Sequence, residues 1–180
     1  MTLISKSRLT SLAETRTGFK NFSDFLNEAK AETRSSASVT VFLSHSHDDL
    51  DKNYVNRVIV LLRKSGVKVY IDSFDSNMPP FTNAQTANRI KEAIKGNRKF
   101  LLLATNNAIN SKWCNWELGY GDALKYLEHI ALFPLTEDSG DWKGQEYLRI
   151  YPRIEESSNE NFKVIYPSNH EKSLVEWLRY

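Results

Sequence analysis

KFLLLATNNAINSKWCNWELGYG, residues 99–121, holds both halves of one strand–helix unit. Phe100–Ala104 is a continuous apolar run, too short for a buried helix and without the polar alternation of a half-exposed strand. Such a run reads as a strand covered on both faces. The polar turn TNNAINS (105–111) follows, and Ser111 stands where it caps a helix running to about Tyr126. A strand covered on both faces belongs to a sheet sandwiched between helices, and helical crossovers make that sheet parallel.

The same alternation extends in both directions. VTVFL (39–43) is a first strand, followed by the polar turn SHSHDD (44–49) and a helical pattern of Tyr54, Val55, Val58, Ile59, Leu61 and Leu62 that stops at Gly66. VKVYI (67–71) is a second strand, and the loop DSFDSNMPPF (72–81), with two prolines, is irregular. Thr82 and Gln85 form a capping box for a helix to about Lys95, closed by Gly96. HIALFPL (129–135) is the fourth strand, 136–161 reads as irregular, and FKVIY (162–166) is the fifth. Ser168 and Glu171 box in a final helix to Arg179. This pattern predicts an α/β fold, a flavodoxin-like doubly wound five-stranded parallel sheet over residues 39–180. Residues 1–38 read as an N-terminal helical extension ending in the linker SSAS. Within it Phe19, Phe22, Phe25, Leu26 and Ala29 recur at helical spacing, as in a short amphipathic helix packed on the main domain or on a partner.

Composition narrows the function classes. The chain has 180 residues, 41% hydrophobic and 26% charged, with a net charge of +2. That balance argues against a nucleic-acid or anionic-membrane partner. The single cysteine, Cys114, precludes an intrachain disulfide and fits a reducing, cytoplasmic location. No stretch approaches the ~20 apolar residues that cross a bilayer. Lys6, Arg8, Glu14 and Arg16 interrupt the N-terminus too often for a secretory signal.

In a doubly wound sheet ligands bind beyond the carboxyl ends of the strands, which here are 44–49, 72–81, 105–112 and 134 onward. Glu117 falls at that edge, in the second turn of its helix. Its neighbours one turn away are Trp113, Cys114, Tyr120 and Gly121, so it lacks the basic partner that helical glutamates usually find. A partly desolvated carboxylate at a strand-end cleft suits stabilisation of developing positive charge, as in the oxocarbenium-like transition states of glycosidic bond cleavage. A cationic nicotinamide departs neutral and needs no acid partner. Two histidines, His45 and His47, precede two aspartates, like the start of a hydrolase metal motif, but the motif's next histidine is Leu50 here. His129 and His170 lie at no ligand spacing, so no metal is expected, and Asp48 or Asp49 is read as a helix cap. No aspartate ends the third strand, which removes a phosphoacceptor reading. Gly119 and Gly121 form no dinucleotide fingerprint; they are read as letting the helix approach another backbone closely. Cys114 reads as a buried, inert thiol.

VFLSHS at the first strand, GVKVYID leading into a proline-containing loop, and W-x-x-x-E at Trp113–Glu117 together resemble a bacterial TIR domain. The resemblance covers roughly residues 39–178. It implies cleavage of NAD+, with no further cofactor, by a catalytic glutamate at Glu117 that holds the ribose beside nicotinamide. It implies an aromatic wall at Trp113, substrate contacts from Ser44 and His45, and a position near the active site for Asp72. It also implies apolar contacts to the nucleotide from Phe74 and Phe81 in the loop the family calls the BB loop. Asp72 also reads as a cap of its own turn, and either phenylalanine as an anchor of the loop to the core. The turn HSHDD has no arginine, so phosphate recognition falls to backbone amides, helix N-termini or another subunit. Self-association through TIR–TIR contacts follows from the same resemblance. Small TIR proteins of this build resemble the sensor of the Thoeris antiphage system, which signals through a nucleotide product to a separate effector protein. The alternatives from other classes are a non-catalytic TIR scaffold and a nucleoside deoxyribosyltransferase-like enzyme.

Overall fold

Alternate residues of each central strand point to opposite faces of the sheet, and in this chain both sets are apolar. In the strand Lys99–Ala104 (β4), Leu101 and Leu103 join one core, while Phe100, Leu102 and Ala104 join the other. The computed structural model describes residues 3–17, 39–51, 53–76, 78, 83–140, 142, 144, 146–157 and 161–180. Within these, the remaining strands are Ile4–Ser5 (β1), Thr40–Ser44 (β2), Lys68–Tyr70 (β3), Ile130–Thr136 (β5), Arg153–Glu156 (β6), Phe162–Ile165 (β7) and Glu171–Ser173 (β8). They form one sheet in the order β3-β2-β4-β5-β6-β7-β8, with β1 paired to β5 off that path.

From β3 to β6 every pairing is parallel, which gives the five-stranded parallel core expected of the doubly wound fold. The chain reaches β3 on one side of β2 and β4 on the other. The crevice where winding reverses therefore opens at the carboxyl ends of β2 and β4. One face is covered by Lys6–Thr17 (α1), Tyr54–Lys64 (α3) and Leu174–Arg179 (α7), with Leu9, Leu12, Val58, Leu61, Leu62 and Trp177 buried against it. The other is covered by Ala84–Gly96 (α4), Asn106–Asn110 (α5) and Lys112–Leu124 (α6). A short helix, His47–Asp51 (α2), follows β2 directly.

Several elements depart from the sequence reading. The fifth parallel strand is Arg153–Glu156, in the stretch read as irregular. Its one apolar side chain is Ile154, and Glu155 is buried through an ion pair to Arg153 at 2.7 Å, so composition concealed it. Phe162–Ile165 instead runs antiparallel beside it, because the link from Ser157 to Asn161 is far too short for a crossover. Residues 168–170 do not open the last helix: Asn169 turns at φ 62°, Glu171–Ser173 pairs with β7, and Ser173 caps α7 by accepting from Glu176 N at 3.1 Å. Asn83, not Thr82, caps α4, accepting from Thr86 N at 3.0 Å while Thr86 Oγ1 accepts from Asn83 N at 3.2 Å. Thr82 lies outside the described residues.

The N-terminal segment is more integrated than its charge pattern implied. Ile4, Leu9 and Leu12 are fully buried, β1 pairs in parallel with Leu135 and Thr136, and α1 packs on α3. Lys6 pairs with Glu137, and Arg8 reaches Glu156 at 2.5 Å. The expected amphipathic helix around Phe19–Ala29 lies outside the described residues. Gly121 abuts the Phe100 ring, where an added Cβ would lie 3.1 Å from a ring carbon; the close approach is to a side chain rather than a backbone. Nothing stands within 4 Å of the same position at Gly119.

Candidate active site

Ser111 caps α6 by accepting from Cys114 N at 3.3 Å, which fixes where the helix begins and how it is turned. The buried stripe of α6 is then Cys114, Glu117, Leu118 and Gly121. Glu117 thus occupies a core-facing position at helical spacing, where an apolar residue is normal. In β2, Phe42 belongs to the α6-side core, and Ser44, two residues on, meets that helix. Ser44 Oγ donates to Glu117 Oε2 at 2.5 Å.

Glu117 is only 2% exposed, and this burial pushes its carboxyl up to about 8. The Ser44 hydroxyl opposes the shift, the charge of Asp72 adds to it, and Trp113 pulls weakly the other way. The carboxyl is therefore largely neutral at pH 7, and an adjacent cation would favour its ionised form. The thiol of Cys114, one turn earlier, is likewise pushed up by burial, to about 12, so it is inert as a nucleophile.

A cleft of about 450 Å³ opens over this point, within the usual size for a small-molecule site. Its walls include His45, Asp72, Met78, Ser111, Trp113 and Cys114. Neither Glu117 nor Ser44 lies on its wall; both sit behind Trp113, Cys114 and His45. Trp113 lies tilted against Trp116 with ring centroids 4.9 Å apart, and Trp116 stacks on Tyr120 at 6.0 Å. Asp72 opens the 3-10 turn Asp72–Phe74, accepts from Ser73 N at 2.8 Å, and stands 3.9 Å from His45 Nδ1. It is both a turn cap and a cleft residue. Phe74 packs against the core on the α1–α3 face, which is the placement of a loop anchor. Phe81 lies outside the described residues.

Sequence reading took Asp49 only as one of two candidate helix caps. Rather than capping a helix it is fully buried, accepting from Thr105 Oγ1 at 2.6 Å and Asn107 Nδ2 at 3.2 Å. Thr105 Oγ1 in turn accepts from Ala108 N at 3.0 Å, so the turn after β2 is tied to the turn after β4. Only the adjacency of those two strands could have exposed the pairing. Asp75 does similar work at the loop base, accepting from Tyr70 Oη at 2.8 Å and Arg89 Nε at 3.3 Å. Among the described residues, no group of three or more His, Cys, Asp or Glu is placed to hold a metal ion, and no helix is long and apolar enough to cross a membrane.

This arrangement has relatives. The sequence profile of the TIR domain family matches residues 41–163, which run from within β2 to within β7 and include the cleft residues. The chain belongs to the TIR domain family. One curated relative of this TIR protein is the "Probable 3′ cyclic ADP-D-ribose synthase ThsB′" of Bacillus cereus, strain MSX-D12. The two are 28% identical over 153 residues, covering 77% of this chain and 75% of that protein. Among solved structures a prokaryotic SEFIR domain aligns with a TM-score of 0.46 at 17% identity, covering 67% of this TIR chain and 83% of the other.

Proposed function

We propose that this TIR protein cleaves NAD+ at the bond between nicotinamide and ribose, in the service of antiviral signalling. The observation that carries the reading is the buried carboxyl of Glu117, held by Ser44 directly behind a cleft of about 450 Å³. A cationic ligand entering the cleft favours the ionised form of that carboxyl, so charge appears where the ribose becomes oxocarbenium-like. Nicotinamide takes the electron pair of the broken C–N bond and leaves neutral, which removes the need for an acid on the leaving-group side. Trp113 supplies a flat apolar wall, His45 and Asp72 line the cleft beside it, and Ser44 holds the carboxyl in place. The name of the Bacillus cereus relative supports ring closure of ADP-ribose as the outcome, in preference to hydrolysis. A diffusible nucleotide acting on a separate effector protein, and self-association of TIR domains to complete the site, belong to the same reading.

Incubation with NAD+, alone and with lysate of phage-infected cells, followed by chromatographic resolution of products, tests it. Nicotinamide release with a cyclic ADP-ribose product is expected. Glu117→Gln is expected to stay folded and to lose about 10²-fold or more in turnover, the scale of one preorganised electrostatic group. Because the free carboxyl ionises only near pH 8, kcat/KM should climb as pH rises toward about 8 and then level. Wild-type-like turnover in Glu117→Gln rejects the role, and absence of nicotinamide release under every condition leaves a scaffold.

A further inference from the structure

Beside the carboxyl, His45 and Asp72 of the cleft wall belong to a second constellation that the bond-breaking step does not use; its third member, Ser73, is exposed and follows Asp72 in the chain. Ser73 Oγ lies 3.2 Å from His45 Nε2, across the junction between the turn after β2 and the 3-10 turn after β3. On the other side of the ring, Nδ1 lies 3.2 Å from Leu43 O and 3.9 Å from Asp72 Oδ1. Both of those oxygens only accept, so in the neutral ring Nδ1 carries the hydrogen and donates it to Leu43 O. Nε2 is then left with a lone pair facing the Ser73 hydroxyl. An imidazole fixed in this tautomer, with a carboxylate beside it and a hydroxyl at its free nitrogen, has the arrangement of a general base.

The charges around it are mixed. Burial is the largest influence and holds the ring neutral below the ordinary histidine range; His47 acts in the same direction. Asp72 and Asp49 favour the protonated ring. From α6, Glu117 and Cys114 face the same floor beyond Ser44.

The reaction leaves a task for such a group. Loss of nicotinamide consumes no proton, but capture of the sugar cation by a hydroxyl forms a C–O bond and leaves that oxygen with a surplus proton. As that bond forms the sugar loses its charge, and the proton needs an acceptor on the cleft wall, where His45 lies and Glu117 does not. We propose that His45 is the general base of the capture step, receiving the proton of the attacking hydroxyl through Ser73, with Asp72 steadying the imidazolium. The acceptor's proton passes to Ser73 Oγ as the Ser73 proton passes to Nε2. NAD+ and the acceptor hydroxyl thus yield nicotinamide, a new O-glycosidic bond or ADP-ribose, and one proton, which His45 returns to solvent. This rests on the NAD+-cleaving reading above.

The test separates capture from bond breaking. In His45→Ala, net nicotinamide release is expected to fall about 10²-fold, the usual worth of a general base. Exchange of labelled nicotinamide into NAD+ should fall at least tenfold less than net release, since Glu117 still breaks the bond. Azide, a nucleophile that brings no proton, should restore turnover of His45→Ala as the azido adduct. His45→Asn, whose amide can still donate to Leu43 O, keeps the turn intact and should show the same split between exchange and net release. Net release within threefold of wild type in both variants, exchange that falls together with release, or failure of azide to restore turnover each overturns the proposal. If the wild-type protein neither releases nor exchanges nicotinamide, the NAD+ reading itself falls and takes this one with it.

Discussion

Glu117 is a carboxyl set into an apolar stripe, and its protonation couples folding to pH. Its folded value near 8 exceeds the ordinary 4.5, so between those values the unfolded chain is ionised while the folded one still binds its proton. Stability is then fully present below about pH 4.5 and is lost as pH rises toward 8. Glutamine at this position keeps the shape and removes the charge. Glu117→Gln should therefore be as stable as wild type near pH 4.5 and more stable above pH 8, by up to about 5 kcal/mol. Urea denaturation at pH 5 and pH 8.5 measures the difference, and an equal shift at both would contradict the burial argument. A residue that destabilises its own fold at working pH fits a site kept for chemistry.

Among the elements, the site is a junction of turns rather than a single helix. Asp49 binds the turn after β2 to the turn after β4, and His45 binds it to the turn after β3. Removing Asp49 leaves the Thr105 hydroxyl and the Asn107 amide without the carboxylate that receives them. Asp49→Ala is expected to cost about 2–3 kcal/mol, the price of stranding such donors. Asp49→Asn, which retains one acceptor, should cost less. Thermal melts of both variants check the order. Because β2 and β4 pair directly, with Ser44 opposite Leu102, the disturbance should reach Glu117 through Ser44 and lower kcat more than it raises KM.

At the scale of the whole molecule, the N-terminal segment is part of the body that holds the sheet. Ile4 sits at the edge of β5 and Leu9 and Leu12 lie between α1 and α3, all fully buried. Leu12→Ala should cost about 2–5 kcal/mol, as other buried leucine truncations do. Deleting residues 1–17 should leave a chain that does not fold cooperatively. Urea curves for the first and the loss of a sharp melt for the second are the measurements. A deletion as stable as the full chain would mean that these contacts contribute nothing net.

The central strands were legible because burial on both faces demands uninterrupted apolar runs, and KFLLLA and HIALFPL have them. The helix carrying Glu117 was legible from its serine cap, and the carboxyl itself from its missing ion partner and aromatic neighbours. Arg153–Glu156 was not, since an ion pair buries Glu155 where the strand pattern calls for an apolar side chain. Nor was α1, whose sequence KSRLTSLAETRT mixes charge with the few leucines that face the core. Local sequence thus determined the winding of the central strands and the sheet edge at which the cleft opens, because both follow from periodicity and caps. Tertiary structure alone decided that Ser44 meets Glu117, that Asp49 meets Thr105, and that Ser73 meets His45. Those pairs join residues 28 to 73 positions apart, and only strand order brings them within hydrogen-bond reach.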